Sequence, residues 1–311
     1  MFDDKTYAQM RSDFLNKYYN TLRPLLQQYE SERVFTLIST SIISGILILI
    51  GVAIMFLSFN VTDHHEQKAR TQAIFILIGS ATVFYYWRKK SFENKIKGII
   101  MPMICHCIGD IKWTAGGVYP SDIYVNSNII TKYTSYRKDD CFEGKYKDVG
   151  IIIEECQFIK GSGKNQKTLF DGVMVQLEMN KTFTGNTVIR PDKIFHISPN
   201  KNLRHTVLED VEFEKKFDVF TDDEVEARYL ITTALMARLN DMKVAFKADK
   251  VSAVFYMNKF IIGLHTSKDL FSICSLIRPV YDEKQIFQMF DEMLSIIKLI
   301  EYFKLDQKIG I

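Results

Sequence analysis

From Val34 to Phe59 the chain reads VFTLISTSIISGILILIGVAIMFLSF, 26 residues without a charge. A helix needs about 20 apolar residues to cross a bilayer core. A charge at its centre would cost about 2.5–3.5 kcal/mol. The Ser and Thr hydroxyls can bond back to helix carbonyls and do not oppose insertion. The pattern predicts a transmembrane helix over 34–59. A second run, TQAIFILIGSATVFYYW, covers 71–87. Its 17 residues lie at the short end of the spanning range. Arg70 bounds it on one side and Arg88-Lys89-Lys90 on the other. Tyr85, Tyr86 and Trp87 fall where an interfacial aromatic belt belongs. Residues 60–70, NVTDHHEQKAR, form a short external loop between the two. The expectation is a two-helix transmembrane hairpin.

Amphipathic stretches flank the hairpin. Tyr7, Met10, Phe14, Tyr18, Leu22, Leu25 and Tyr29 recur at helical spacing. They predict a cytoplasmic helix over 1–33, interrupted at Pro24. Phe92, Ile96, Ile99, Ile100, Met103, Cys107, Ile108 and Ile111 predict a helical stalk over 88–112, with Pro102 as a second interruption. The hairpin brings these stretches together as an antiparallel pair. Lys and Arg are in excess on the terminal sides: Lys17, Arg23 and Arg33 before the first span, and Arg88, Lys89, Lys90, Lys95 and Lys97 after the second. That bias places both termini in the cytoplasm of a multi-pass inner-membrane protein. The first 33 residues are too polar for a cleavable signal peptide. The Asn60-Val61-Thr62 sequon abuts the membrane and is discounted.

Gly116-Gly117 and Pro120 break the helical pattern, and residues 113–311 read as a cytoplasmic α+β domain. Ser121 to Tyr136 suggests a short helix and a turn. The runs GIII and CQFI within 145–160 read as strands, as do 169–180 and 182–190. Thr221-Asp-Asp-Glu224 matches a capping box. It predicts one helix from Thr221 to about Met242, with Val225, Tyr229, Thr232, Leu235, Met236 and Leu239 inward. Residues 251–264 read as a hairpin about Asn258-Lys259. Residues 283–305 read as an amphipathic helix burying Phe287, Phe290, Leu294, Ile297, Ile300 and Phe303. Strands and helices are interspersed without a βαβ rhythm, which favours α+β over a doubly wound sheet.

Three runs carry a family resemblance: DDCFEGKYKDVGIIIEE at 139–155, LFDGVMVQLEMNKTFTGNTVIRPD at 169–192, and TVLEDVEFEKKFDVFTDDEVEARYLITTALMARL at 206–239. Together they resemble the bacterial domain-of-unknown-function 3137 family. The resemblance implies a fold and a membrane anchor of two N-terminal helices. It brings no activity, cofactor or catalytic residue. The polar insert GSGKNQK at 161–167 departs from the pattern by lengthening a hairpin loop.

Composition adds mostly exclusions. With 40 basic and 37 acidic residues the net charge is +3, so no basic excess argues for nucleic acid. The five cysteines are odd in number and irregular in spacing, which suits reduced thiols. Cys105-His106-Cys107 has soft ligands, yet zinc needs four at workable spacing, so helix packing is expected. His64-His65-Glu66 reads as a solvated turn. Gly161-Ser-Gly-Lys164 lacks the earlier Gly and following Ser or Thr of a phosphate loop. His196 and His205 have no Cys or Ser at an interpretable spacing. Asp139-Asp140, Glu154-Glu155, Glu209-Asp210 and Asp222-Asp223 read as solvated pairs, the last favouring a helix N-terminus. Phe213 and Phe217 are four apart and predict one helical face, leaving Glu214, Lys215 and Lys216 exposed.

The leading expectation is a non-enzymatic, membrane-tethered module binding a protein or small molecule, with no cofactor and with self-association allowed. The rival is a metal-dependent hydrolase or nuclease using Asp139, Asp140, Glu154 and Glu155.

Overall fold

The computed structural model describes residues 4–58, 64–116, 122–147, 149–191, 198–266, 271–273 and 275–302. Asn60–Thr62, Gly117, Pro120, His196 and Phe303 lie outside them. The elements in chain order are α1 (Asp4–Lys17), a π-helical turn (Tyr18–Leu22), α2 (Arg23–Gln28), α3 (Glu30–Ser58), α4 (His64–Ile108), β1 (Asp110–Ala115), α5 (Asp122–Asn126), β2 (Ser135–Tyr146), β3 (Val149–Lys160), β4 (Lys167–Glu178), β5 (Thr187–Pro191), β6 (Arg204–Thr206), α6 (Val211–Glu214), β7 (Phe217–Thr221), α7 (Glu224–Leu230), α8 (Thr233–Ala245), β8 (Lys250–Tyr256), β9 (Lys259–His265) and α9 (Glu283–Tyr302). By internal contacts they form two units. One contains Met1–Met10, Pro102–Ser272 and Met289–Ile311, the other Arg11–Met101 and Ile273–Gln288.

The second unit is helical. Pro24 has no N–H to donate, and the π turn before it absorbs the gap, with the Arg23 N–H reaching back to the Tyr18 carbonyl. α3 and α4 run antiparallel. Lys95 Nζ lies 2.7 Å from a Glu32 carboxylate oxygen, Ser44 Oγ 3.5 Å from the Ala81 carbonyl, and Arg70 Nη1 3.0 Å from the Leu57 carbonyl. Burial along these helices is inverted. Thr36, Thr40, Gly51 and Ala81 are buried, while Phe35, Leu49, Phe56, Leu57, Phe75, Ile76 and Val83 are each more than 60% exposed. Among the described residues one helix is long and apolar enough to cross a membrane, the continuous stretch Tyr7–Leu57, whose apolar window has mean hydropathy 2.6. The expected second span, 71–87, lies inside α4, which is not such a helix, so the expected two-helix hairpin is reduced to one candidate span. In the same unit, the chain around 276–287 is strapped to the N-terminal helices. Tyr18 Oη donates to the Tyr281 carbonyl at 2.8 Å, and the Phe287 ring meets Phe14 and Tyr18 edge-on at 5.4 and 5.3 Å.

The first unit is built on a nine-stranded antiparallel sheet ordered β1-β2-β3-β4-β9-β8-β5-β7-β6. It is an α+β arrangement, as expected. The sheet begins at Asp110, so three residues assigned to the stalk, Asp110, Ile111 and Lys112, are strand. β1 can approach β2 closely because position 144 is Gly: a Cβ there would lie 2.0 Å from the Asp110 carbonyl oxygen. One sheet face, with Phe158, Phe170, Met174, Val188, Phe220, Val254 and Ile261, packs with Tyr124, Ile129 and Ile130. The other carries Phe142, Ile153, Val175 and Ile262, where Phe142 meets the Phe271 ring at 5.0 Å. β8 and β9 form the expected hairpin, and α9 buries Phe290, Leu294, Ile297 and Ile300.

The helix expected from Thr221 to Met242 is two helices, with a different cap. Thr221 ends β7, fully buried, with its hydroxyl 3.0 Å from that of Thr187. Asp223 caps α7 by accepting from the Glu226 amide at 2.9 Å, and the helix stops at Leu230. Thr232 caps α8 by accepting from the Leu235 amide at 3.2 Å. Leu235, Met236 and Leu239 are buried as expected, but Val225 and Tyr229 are 82% and 59% exposed. Phe213 and Phe217 do not share a helix either. α6 ends at Glu214, Phe217 opens β7, and the two rings stack across the junction at 4.7 Å.

These assignments order three substitutions. In denaturant melts of the detergent-solubilised chain, Leu235→Ala should cost about 2–5 kcal/mol through lost burial and a residual cavity. Thr232→Ala should cost about 1 kcal/mol as a lost N-cap. Val225→Ala should stay within about 0.5 kcal/mol. A Val225→Ala loss as large as that of Leu235→Ala would contradict the two-helix assignment.

Candidate functional site

Strand register decides where the acidic residues point. In β2–β3, Lys138 faces Cys156 and Cys141 faces Glu154, so Asp139 and Asp140 together oppose Glu155. Two residues against one is a β-bulge, which disturbs the two-residue alternation of side chains. One carboxylate oxygen from each of Asp139, Asp140 and Glu155 lies within 4.8 Å of the others. Asp140 is 1% exposed and accepts from Trp113 Nε1 at 2.8 Å. The spacing is within the span of opposed oxygens around one calcium ion, but calcium takes six to eight oxygens, and this cluster offers carboxylates from three residues.

Glu154 is separated from that cluster by the pleat, which turns adjacent strand residues to opposite faces. It is fully buried, accepts from Tyr124 Oη at 2.9 Å and lies 3.6 Å from Lys138 Nζ. Tyr124 Oη in turn accepts from Gln176 Nε2 at 2.8 Å. Lys138 also stands over the Tyr136 ring, 4.9 Å from its centroid. Burial, and then the Glu154 charge, push the Tyr124 hydroxyl well above the usual tyrosine value. The same two causes, in the same order, raise the Cys156 thiol. For Tyr136 burial again comes first, followed by Cys156 and Glu154. The reading of Asp139-Asp140 and Glu154-Glu155 as solvated pairs is therefore corrected: both lie in interior strands, and Asp140 and Glu154 are buried.

Gln176 connects this polar chain to a groove on the same face. The groove, of about 450 Å³, is walled by charges that face one another across strands. Asp110 is in register with Lys145, Lys112 with Glu143, and Glu178 with Lys259, whose ion pair spans 3.6 Å. Opposite charges in register nearly cancel the local field. The groove thus offers alternating donors and acceptors rather than one sign of charge.

The remaining candidates separate. Cys105 is buried, His106 exposed and Cys107 intermediate, as consecutive residues on one helix must diverge; burial pushes the Cys105 thiol up to about 12. His64 opens α4, so His64-His65-Glu66 and the rest of the expected loop from residue 64 to 70 are helix rather than a turn; His65 is exposed, and the side chains of His64 and Glu66 lie outside the described residues. The 161–167 insert makes an exposed tip between β3 and β4, where Gly161 and Gly163 take positive φ. Glu214 Oε1 accepts from the Leu208 amide at 2.8 Å, Lys215 pairs with Glu212 at 2.7 Å, and Lys216 reaches Asn240 at 3.4 Å. Asp222 Oδ1 accepts from the Asn186 amide at 2.7 Å. The linear spacing gave no hint that His205 sits beside Asp218, 3.4 Å apart, where β6 and β7 pair.

Residues 168–305 match the model of a family described as a protein of unknown function, DUF3137. That stretch contains two of the three runs on which the resemblance rests. No curated protein matches the chain. Among solved structures, the crystal structure of the mycobacterial trehalose monomycolate transport factor A, TtfA, overlaps with a TM-score of 0.35 at 7% identity, covering 59% of this chain and 86% of that one. An overlap that distant carries neither fold nor function across.

The buried polar chain has a measurable energetic signature. Tyr124→Phe removes a hydroxyl that serves Glu154 and Gln176 and should cost about 1–3 kcal/mol. Lys138→Met leaves Glu154 without its cation and should cost about 3–5 kcal/mol, the usual loss on breaking a buried pair. Thermal melts of both variants check the ordering. Two neutral variants would contradict the placement of Glu154.

Proposed function

We propose that this chain is a membrane-anchored interaction module. Both apolar helices cross the inner membrane as an antiparallel hairpin with both termini on the cytoplasmic side. The sheet unit then receives a protein or small-molecule partner at that membrane. The observation that carries the anchor is the inverted burial of α3 and α4: small and hydroxylated residues face inward, and Phe56, Leu57, Phe75 and Ile76 face out. In water such surface would be costly at about 25 cal/mol per Å². In lipid, packing through small residues is the usual arrangement. The short second segment is consistent with a span because Trp87 and Tyr86 are exposed at its end, where an interfacial belt sits.

The charge-paired groove supports a polar partner and gives no support to nucleic acid, which needs a field of one sign. The hydrolase reading is favoured by one observation, the convergence of Asp139, Asp140 and Glu155. Phosphoester turnover with magnesium or manganese that Asp140→Ala abolishes would replace the interaction reading.

Topology is tested with reporter fusions. Fusions after Lys97 and after Ile311 should report cytoplasm, and one at His65 the outside. The reverse pattern, or all three on one side, contradicts the hairpin. Affinity capture from native membranes then tests the module. A Lys112→Glu and Lys145→Glu double variant should lose the species that the unaltered chain retains, and an unchanged set would remove the groove from the account.

A further inference from the structure

The first apolar run is preceded directly by a clamp. Arg33, 8% exposed, donates Nε and Nη2 to Glu30 Oε1 at 3.0 and 2.7 Å. Its Nη1 donates to the Leu276 carbonyl. The other Glu30 oxygen accepts from the Val280 amide at 2.9 Å. One charge pair on α3 therefore holds two points of a C-terminal segment within the same helical unit. From Val280 to Leu276 the segment advances from Glu30 to Arg33, toward the apolar run that starts at Val34.

The segment then reverses in a turn. The Arg278 amide donates to the Ser275 carbonyl at 3.1 Å, and the Ile277 amide to Ser275 Oγ at 3.2 Å. Leu276 and Ile277 form the tip. Leu276 points inward, 1% exposed, whereas Ile277 is 76% exposed. Arg278 and Pro279 beside it are exposed too. An isoleucine at a turn tip with no cover is costly in water. Its level along α3 gives it a different solvent. The contacts Lys95–Glu32 and Ser44–Ala81 put Arg88, just beyond the second run, level with about residue 38. At 1.5 Å per residue, Arg33 then lies roughly 6–9 Å beyond that point. The headgroup layer is about 5–8 Å deep on each side of the hydrocarbon. Phe35, at 67%, and Val34, at 38%, are exposed at the same level.

We propose that the Ser275–Arg278 turn is a further membrane contact, an interfacial anchor that sets Ile277 among lipid headgroups and upper acyl chains; Arg278 beside it is exposed and stands 3.8 Å from the Asp282 carboxylate. The assignment rests on the spanning reading of α3. The contact fastens the C-terminal segment to the bilayer as well as to α3.

The test uses the full chain in phosphatidylcholine–phosphatidylglycerol vesicles, with an environment-sensitive fluorescent amino acid at position 277. Position 49 serves as the comparison inside the apolar run and position 225 as the comparison in water. The label at 277 should be quenched by a nitroxide carried on the lipid and shielded from iodide. Quenching by iodide at 277 with lipid quenching at 49 would overturn the anchor and leave the span standing. Quenching by iodide at both would overturn the span and the anchor with it. Shielding from both quenchers at 277 would mean that protein covers the turn, and would also overturn the anchor.

Discussion

Twenty-six consecutive residues without a charge fit water poorly, and in the proposed reading the helical unit is arranged around moving them into lipid. α3 satisfies its backbone internally, which is what a segment placed in hydrocarbon would need. Its inward positions are small or hydroxylated, so α4 can lie close against it. Its outward positions are large and apolar and have no protein cover. The charges are gathered at its start, where Glu30 and Arg33 neutralise each other and hold the 276–280 segment. A lone arginine buried there would be costly; paired with a carboxylate and a carbonyl it becomes a fastening point.

The sheet unit solves a different problem. Nine strands bury both central faces, yet β2 and β3 bring Asp139, Asp140, Glu154 and Glu155 together beside one bulge. The bulge between Lys138 and Cys141 distributes them. It places Asp139 and Asp140 against Glu155 on one side and leaves Glu154 on the other with Tyr124 and Lys138. Each buried carboxylate thus has a donor: Trp113 for Asp140, Tyr124 for Glu154. A polar chain in a core is tolerated only when such donors are present. Gln176 extends the chain to the groove wall, so the groove and the core network are one structural feature.

What was legible in the sequence follows from how each signal is built. The apolar run from Val34 is long, the β8–β9 hairpin and α9 keep one period, and the structure has a helix through Ser58, the hairpin and α9 there. β2 is hidden because SYRKDDCFEGKY is charged and its bulge shifts the alternation in mid-strand. β1 resembles stalk because Ile111 continues the helical stripe. β7 resembles helix because Phe213 and Phe217 have helical spacing. Thr221-x-x-Glu224 and Asp223-x-x-Glu226 both fit the capping pattern. Asp223 is the cap because Thr221 ends β7 with its hydroxyl on Thr187 and on the Asp223 backbone, while the Glu226 carboxylate turns to the Thr184 and Gly185 amides, at 3.1 and 2.8 Å, rather than closing a box. The convergence of Asp139, Asp140 and Glu155 depends on register, which adjacent letters do not encode.

The proposed hairpin takes α4 across the bilayer beside α3. A nitroxide scan along residues 71–87 of the full chain in vesicles, reading accessibility to oxygen and to a water-soluble nickel chelate, tests it most directly. A spanning helix predicts a depth that rises to a maximum near Ile78–Ala81 and falls again toward Trp87. A constant shallow depth, with chelate access repeating at the helical period, would mean that the segment lies on the surface and would contradict the hairpin.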